Sequence, residues 1–418
     1  MDRSKLTRRA WLTTTSGVIA AGLLRTQADA LKLAPRQVPG GSSDPSKVPG
    51  RPTSEVGARA PGEQLRRLTR NQELSSSSRT PLHELNGIIT PADLHFERHH
   101  AGVPQIASEE HELLVHGMVD RPMVFRMQDI RRYPCVSRIH FLECSGNGGG
   151  AYGRERMPTE ITVQALDGLL STSEWTGVPL AWILREVGIR PGASWLLAEG
   201  RDAALMSRSL PIEKAMDDAL LAYGQNGEAI RPEQGYPIRL FLPGWEGNIS
   251  VKWLRRIEVS DRPTMARDET SKYTDPLRGG TARQFSFVMD AKSVITFPSY
   301  PFVLPDRGWW EIKGLAWTGR GRIARVEVST DGGRNWVDAE LQQPVLPKST
   351  VQFRHLWEWD GREAMLLSRA IDETGYMQPT VQQLWEARGE RTAYHQNNQR
   401  AWKVAPTGEI TFGLGDLV

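Results

Sequence analysis

Ser137-Arg138-Ile139-His140-Phe141-Leu142-Glu143-Cys144-Ser145-Gly146-Asn147-Gly148-Gly149-Gly150 is the stretch on which the reading of this chain turns. Positions 138–144 alternate polar and apolar residues, the period of a half-buried strand, and the run that follows forces an open turn with few side chains in it. Cys144 therefore stands at a strand end, facing whatever space the glycines leave. A thiol there is a soft metal ligand, a nucleophile or a small buried residue, and each reading demands something different of the rest of the chain.

At 418 residues the chain is too long for one ordinary core, so two folded domains plus a non-core segment are expected. The formal charge of +3 is local: Arg3, Lys5, Arg8, Arg9 and Arg25 against Asp2 and Asp29 account for all of it. The remainder is near neutral and has no long basic run, which argues against nucleic acid or an anionic membrane surface as partner. Cys135 and Cys144 are the only cysteines. A bridge between them would consume the thiol at the turn, so both are expected to be unpaired.

Residues 1–30 read as an export signal, with a basic start, a weakly apolar stretch and the cleavage-like Ala28-Asp29-Ala30. It is too short and too polar to span a membrane. Thr7-Arg8-Arg9-Ala10-Trp11-Leu12 resembles the twin-arginine motif of the pathway that exports folded proteins, which implies a periplasmic destination and a cofactor loaded beforehand. Residues 31–80, rich in Pro, Gly and Ser, read as a linker or surface arm.

From 81 to 280 the pattern is mixed. Strands are expected near 112–116, 122–125, 195–199, 220–223 and 238–242, and helices near 127–132, 180–187 and 212–217. With no regular βαβ alternation, an irregular α+β domain is favoured over a doubly wound sheet. From 281 to 418 short alternating runs at 314–317, 323–329, 336–339, 353–359 and 365–370 are separated by turn sequences such as Asp331-Gly332-Gly333 and Asp360-Gly361. Eight of the fourteen tryptophans lie in this part, as the interior of an immunoglobulin-like β-sandwich requires.

His111 and His116 flank a Glu-Leu-Leu-Val run that superficially looks like a zinc-protease helix, but they are five apart and would project from different faces. An alternating strand with partly exposed histidines is expected instead. Residues 146–153 lack the Lys-Ser/Thr of a phosphate loop and the spacing of a dinucleotide fingerprint. A Cys-x-x-Cys-His haem attachment site is absent. At this level a cofactor-free cysteine hydrolase, with His140 or His100 as base, and an exported assembly module both stay open.

Several motifs in order then match a known family. Arg98-His99-His100-Ala101-Gly102-Val103-Pro104, Glu143-Cys144-Ser145-Gly146-Asn147, Trp175-Thr176-Gly177-Val178-Pro179, Ala222-Tyr223-Gly224-Gln225-Asn226-Gly227, Gly235-Tyr236-Pro237-Ile238-Arg239 and Ser250-Val251-Lys252-Trp253-Leu254 resemble the sulfite oxidase family of molybdenum enzymes. Val328-Ser329-Thr330-Asp331-Gly332-Gly333 and Trp357-Glu358-Trp359 resemble that family's dimerisation domain. The resemblance implies an α+β molybdopterin domain followed by the sandwich, a homodimer, and molybdenum held by a pyranopterin dithiolene. It makes Cys144 the protein ligand of the metal, and places Arg98, His100, Asp202, Arg239, Ser250 and Lys252 on the cofactor. Arg98, Tyr273 and Trp175 fall at the substrate end, with Trp175 walling the pocket.

Two departures follow from the same resemblance. Gln234 stands where the family often has histidine, and Gly148 and Gly149 stand where sulfite oxidases proper place basic residues. Losing a guanidinium there removes a bidentate grip on a small free oxyanion and opens the entrance. Ser173-Glu174-Trp175-Thr176-Gly177-Val178 is similar to the branch of the family that works in the bacterial Sox thiosulfate-oxidising system. The expectation is a dehydrogenase of sulfane sulfur borne on a carrier protein, or of free sulfite, that passes electrons to a separate c-type cytochrome.

Overall fold

The computed structural model describes residues 49–151, 158–277, 279–389 and 393–413. The expected export signal at 1–30 lies outside the described residues. Residues 64–418 form one compact unit, and of the unit before it 49–63 are described, all exposed. The arm expected to reach residue 80 is therefore shorter than composition indicated. Leu68–Thr69, Ser77–Arg79 and Glu97–Arg98 make a three-stranded sheet, and Ser77, Ser78 and Thr80 are buried. The Thr80 hydroxyl, which looks like linker in sequence, finds partners here: Thr80 Oγ1 lies 2.7 Å from Ser171 Oγ and 3.0 Å from Leu94 O.

Two sheets carry the mixed part. In one, Val136–Glu143 pairs antiparallel with Leu170–Pro179, which pairs with Leu220–Gln225, itself joined to Glu228–Ala229 and Arg239–Phe241. In the other, Leu254–Ser260 lies between Glu112–Gly117, its parallel neighbour, and Trp195–Gly200, with Met123–Arg126 and Ser207–Pro211 at the edges. His111, expected partly exposed, is fully buried and bonds Leu254 O at 2.9 Å.

Helix Leu180–Val187 shows how the sequence makes its elements. Leu180, Ile183, Leu184 and Val187 recur at one helical face and are fully buried, and Gly188 ends the helix at φ +72°. Burial of these side chains against the sheets contributes about 1.5–3 kcal/mol each. A Leu184→Ala change would remove about 2–5 kcal/mol, cavity included.

The last third is a sandwich. One sheet holds Lys292–Phe297, Gly308–Trp317, Val351–Trp359 and Glu340–Leu341, and the other Val337–Asp338, Ile323–Ser329, Ala364–Asp372, Ala401–Val404 and Ile410–Gly413. Trp317, Phe353, Trp402 and Phe412 fill its interior. The same core takes in Phe141, Val163, Leu166 and Leu170 from the first part, so packing is continuous across the boundary expected at 280/281. Helix Val381–Arg388 was not anticipated, although Thr380 and Gln383 form a capping box at its start. Among the described residues no helix is long and apolar enough to cross a membrane.

Candidate functional site

The strand Val136–Glu143 delivers Cys144 into a tight turn. Asn147 N donates to Cys144 O at 2.9 Å, and the Asn147 side chain accepts from Leu169 N at 3.0 Å while donating to Glu143 Oε1 at 2.9 Å. Gly148 takes φ +84°, where a Cβ would collide with the Arg400 guanidinium. Gly247 is needed for a different reason: a Cβ there would come within 2.6 Å of Glu143 O and 3.5 Å of Cys144 Cα. Neither cysteine is bridged; Cys135 is exposed and Cys144 half-buried.

Cys144 faces a cleft of about 660 Å³. Arg98, His100, Asp202, Arg239, Ser250, Lys252 and Tyr273 all line it, so seven side chains drawn from widely spaced motifs converge with the thiol. Trp175 is the exception. It is fully buried, stacks on Phe241 with centroids 4.6 Å apart, and lies 5.2 Å beneath the Arg239 guanidinium. The expected pocket wall is thus a support one layer down, because the sheet register turns Trp175 toward the core that holds Leu220 and Phe241.

The cleft gathers three cations, Arg98, Arg239 and Lys252, against one carboxylate in its lining, Asp202. Arg239 is 2 % exposed, donates to Gln234 O at 3.1 Å and Ser250 O at 2.9 Å, and leaves its buried Nε without a partner. Burial lowers its pKa to about 9. Lys252 Nζ bonds Arg98 O at 3.1 Å, Glu233 O at 3.1 Å and His99 Nδ1 at 2.8 Å, so it offers the cleft charge more than a free N–H. Burial is the largest influence on it and, with Arg239 and Arg98 nearby, brings its pKa down to about 7 despite Glu97 and Asp202. Arg98 Nη1 is held by the carbonyls of Ser76 and His99. Buried guanidinium and ammonium groups with a vacant donor are the donor set for a phosphate-bearing ligand.

Two further groups in the cleft, His100 and Tyr273, are uncharged near neutrality. His100 Nε2 lies 2.8 Å from Tyr273 Oη. Burial, then Arg98, lowers His100 to about 4, and burial, then Cys144, pushes the Tyr273 hydroxyl far up. Tyr273 adopts φ +52°, and its ring lies 5.2 Å from the Arg208 guanidinium and 5.1 Å from Tyr394. Burial also raises the Cys144 thiol, so a bound metal is what would make it a thiolate.

The partners of three residues within or beside these motifs were not legible in the sequence. His99 is buried between Lys252 and Glu97, 2.7 Å from Glu97 Oε2, and so orients the lysine. Gln234 donates to Phe96 O at 2.9 Å, closing the site at the altered position. Asp202 Oδ1 accepts from Met206 N at 3.2 Å, which pins a turn in the wall.

A pH consequence follows for Lys252. Its folded pKa is below its ordinary value, so between about pH 7 and 10 the unfolded chain holds a proton that the ligand-free fold does not, and stability rises with pH across that window. Anion affinity runs the other way, weakening as the ammonium is lost. Titrating cofactor-free protein with inorganic phosphate at pH 8 should therefore take up a proton, measured as a buffer-dependent heat. Lys252→Met should abolish the uptake; an unchanged heat in that variant would refute the assignment.

Comparison with known proteins gives the following. Residues 100–267 match the oxidoreductase molybdopterin binding domain, and 283–401 the Mo-co oxidoreductase dimerisation domain. The sulfite oxidase of Gallus gallus is 31% identical over 338 residues, covering 73% of this chain and 72% of that protein. The NADH nitrate reductase of Ulva prolifera is 30% identical over 71% of this chain, which spans only 38% of that protein. The crystal structure of the sulfane dehydrogenase SoxCD from Paracoccus pantotrophus superposes with a TM-score of 0.80 at 41% identity, covering 89% of this chain and 99% of that one.

Proposed function

The chain belongs to the sulfite oxidase family of molybdopterin oxidoreductases, and from that premise we propose that it oxidises sulfur carried on a partner protein and passes the electrons to a c-type cytochrome. The observation that carries the redox reading is the convergence of Cys144 with Arg98, Arg239 and Lys252 on one cleft. The residues fit the cofactor: Cys144 would ligate the metal, and Arg239, Ser250 and Lys252 would hold the phosphate of the pterin, where Arg239 Nε is unpartnered. When bound, the molybdopterin supplies a two-electron redox couple for sulfur. Overall, each such step adds one oxygen atom from water to sulfur and releases two protons and two electrons.

The chain's own residues do the rest. Arg98 brings positive charge to the Cys144 end, drawing an anionic sulfur species. Tyr273 Oη and His100 Nε2 hold one proton between two groups that stay neutral at pH 7, so they add no fixed charge to that of Arg98.

The carrier-borne substrate is supported by the vacancy of side chains at Gly148 and Gly149. The guanidinium that abuts Gly148, Arg400, is tied to Asp167 Oδ2 at 2.8 Å and to the carbonyls of Asn398 and Gln396, so it gives the substrate no replacement grip. Similarity to the sulfane dehydrogenase points the same way. Steady-state oxidation with cytochrome c as acceptor tests it. We expect kcat/KM for a persulfide on a cysteine-containing carrier to exceed that for free sulfite by at least about tenfold, ~1.4 kcal/mol; the reverse order would make the chain a sulfite dehydrogenase.

The dimerisation-domain match supports a homodimer. Periplasmic location by twin-arginine export belongs to the same proposal. Replacing Arg8 and Arg9 by lysine should leave active protein in the cytoplasm, as judged by cell fractionation. Unchanged periplasmic activity would rule out that route.

A further inference from the structure

Asn248 stands in the cleft wall and no role above uses it. Its Nδ2 donates to Glu246 Oε2 at 2.8 Å, while its Oδ1 is buried with no hydrogen-bond partner. Chemistry decides this orientation. Turning the amide over would set Oδ1 against the Glu246 carboxylate, two acceptors face to face. An amide so held keeps its carbonyl oxygen turned away from Glu246 and free to accept.

Glu246 is itself fastened. It is 3 % exposed, and its Oε1 lies 3.3 Å from His395 Nδ1, while His395 Nε2 lies 2.8 Å from Asp290 Oδ2. A ring between two carboxylate oxygens needs an N–H on both nitrogens. Burial opposes that charge, but the bonds to Asp290 and Glu246 raise His395 above its ordinary value. Asp290 is anchored in turn by Arg320 Nε at 3.0 Å and Arg388 Nη2 at 3.6 Å. The His395 amide donates to Ser145 O at 2.8 Å, so the same residue also braces the turn after Cys144.

This row of groups, Asp290, His395, Glu246, Asn248, ends at one acceptor atom in the cleft that Cys144 also lines. Leaving a buried acceptor unpaired costs about 1–3 kcal/mol, so a donor from whatever fills the cleft would recover it. A fully deprotonated oxyanion offers only acceptors. An N–H of the pterin, or an N–H on a sulfane-bearing substrate, offers what the oxygen lacks.

Resting on the family reading, we infer that Asn248 Oδ1 accepts a hydrogen bond from an N–H donor in the cleft, with Glu246 and His395 as its positioning residues. In Asn248→Ala the acceptor is gone. In Glu246→Gln the amide loses its fixed orientation, because glutamine donates as well as accepts.

The test uses purified holoenzyme. Molybdenum and pterin content after dialysis, and kcat and KM with glutathione persulfide and with sulfite, are measured for N248A, E246Q, the double variant and wild type. If the donor is the pterin, both single variants lose cofactor about three- to tenfold faster; if it is the substrate, KM for the persulfide rises by that factor while sulfite is unaffected. In either case the double variant should be no worse than the worse single one, since both changes remove one interaction. Unchanged cofactor retention and KM, or additive losses, would overturn the inference. Should N248A fail to fold, Asn248→Leu, which fills nearly the same volume without an acceptor, carries the same comparison. Wild-type protein without molybdenum would instead defeat the family reading beneath it.

Discussion

Cys144→Ser should lower turnover by about 10³-fold or more, ~4 kcal/mol in the barrier. The exchange replaces one atom in a half-buried side chain, so the turn held by Asn147 and the packing of Phe141 and Leu142 should survive. What changes is the donor. A thiolate is soft and gives charge to the metal; a serine hydroxyl is hard and stays protonated near neutrality. Elemental analysis and the visible absorption of the centre read this directly: the absorption should shift or vanish even in protein that keeps its metal. Wild-type activity and spectrum in the variant would sink the assignment of Cys144.

Lys292→Met is expected to destabilise the fold by about 3–5 kcal/mol. Lys292 is 1 % exposed and lies 3.0 Å from Glu143 Oε1 and 2.9 Å from Asp167 Oδ1. Trp317 Nε1 donates to Glu143 Oε2 at 2.6 Å, and Arg400 Nε holds Asp167 Oδ2 at 2.8 Å. Lys292, Trp317 and Arg400 come from the last third of the chain, Glu143 directly precedes Cys144, and Asp167 ends helix Val163–Asp167. Removing the ammonium leaves Glu143 buried with only neutral donors, one residue from the thiol. Denaturant unfolding should show the loss, and molybdenum retention should fall with it. Lys292→Met combined with Glu143→Gln should recover at least half of the stability, because the uncompensated charge is gone. As a control, Lys403→Met breaks an exposed 3.0 Å pair with Glu363 and should cost no more than about 1 kcal/mol. Equal effects at positions 292 and 403 would refute the buried network as the tie between the two halves.

That network also shows what local pattern conceals. Periodicity located Glu112–Gly117, helix Leu180–Val187 and five strands of the sandwich, but not Lys292–Phe297, Glu340–Leu341, Ala401–Val404 or Ile410–Gly413. It missed Leu170–Pro179, the strand on which the Cys144 sheet depends, because Ser171, Thr172 and Ser173 are polar yet buried. Their burial is permitted by partners distant in sequence: Thr172 Oγ1 with Thr350 Oγ1 at 2.8 Å, and Ser173 Oγ with Gln225 Nε2 at 2.9 Å. No window of residues contains that information. Trp175 failed for a related reason, since which face of its strand meets the cleft is decided by register with Leu220–Gln225 and the packing of Phe241.

From sequence alone came the strand-and-turn that presents Cys144, the Trp-rich alternation of the last third, and the ordered motifs holding Arg98, His100, Arg239, Ser250 and Lys252. Those are short-range properties: side-chain period, glycine content and residue order are complete within a few positions. Tertiary structure alone decided that Arg98, Arg239 and Lys252 stand together with a single lining carboxylate, Asp202, that Lys292 and Arg400 brace the cysteine turn, and that His395 and Glu246 aim Asn248. Charge compensation and hydrogen-bond satisfaction are settled by groups separated by up to hundreds of residues, and they acquire a value only when folding has removed the water between them.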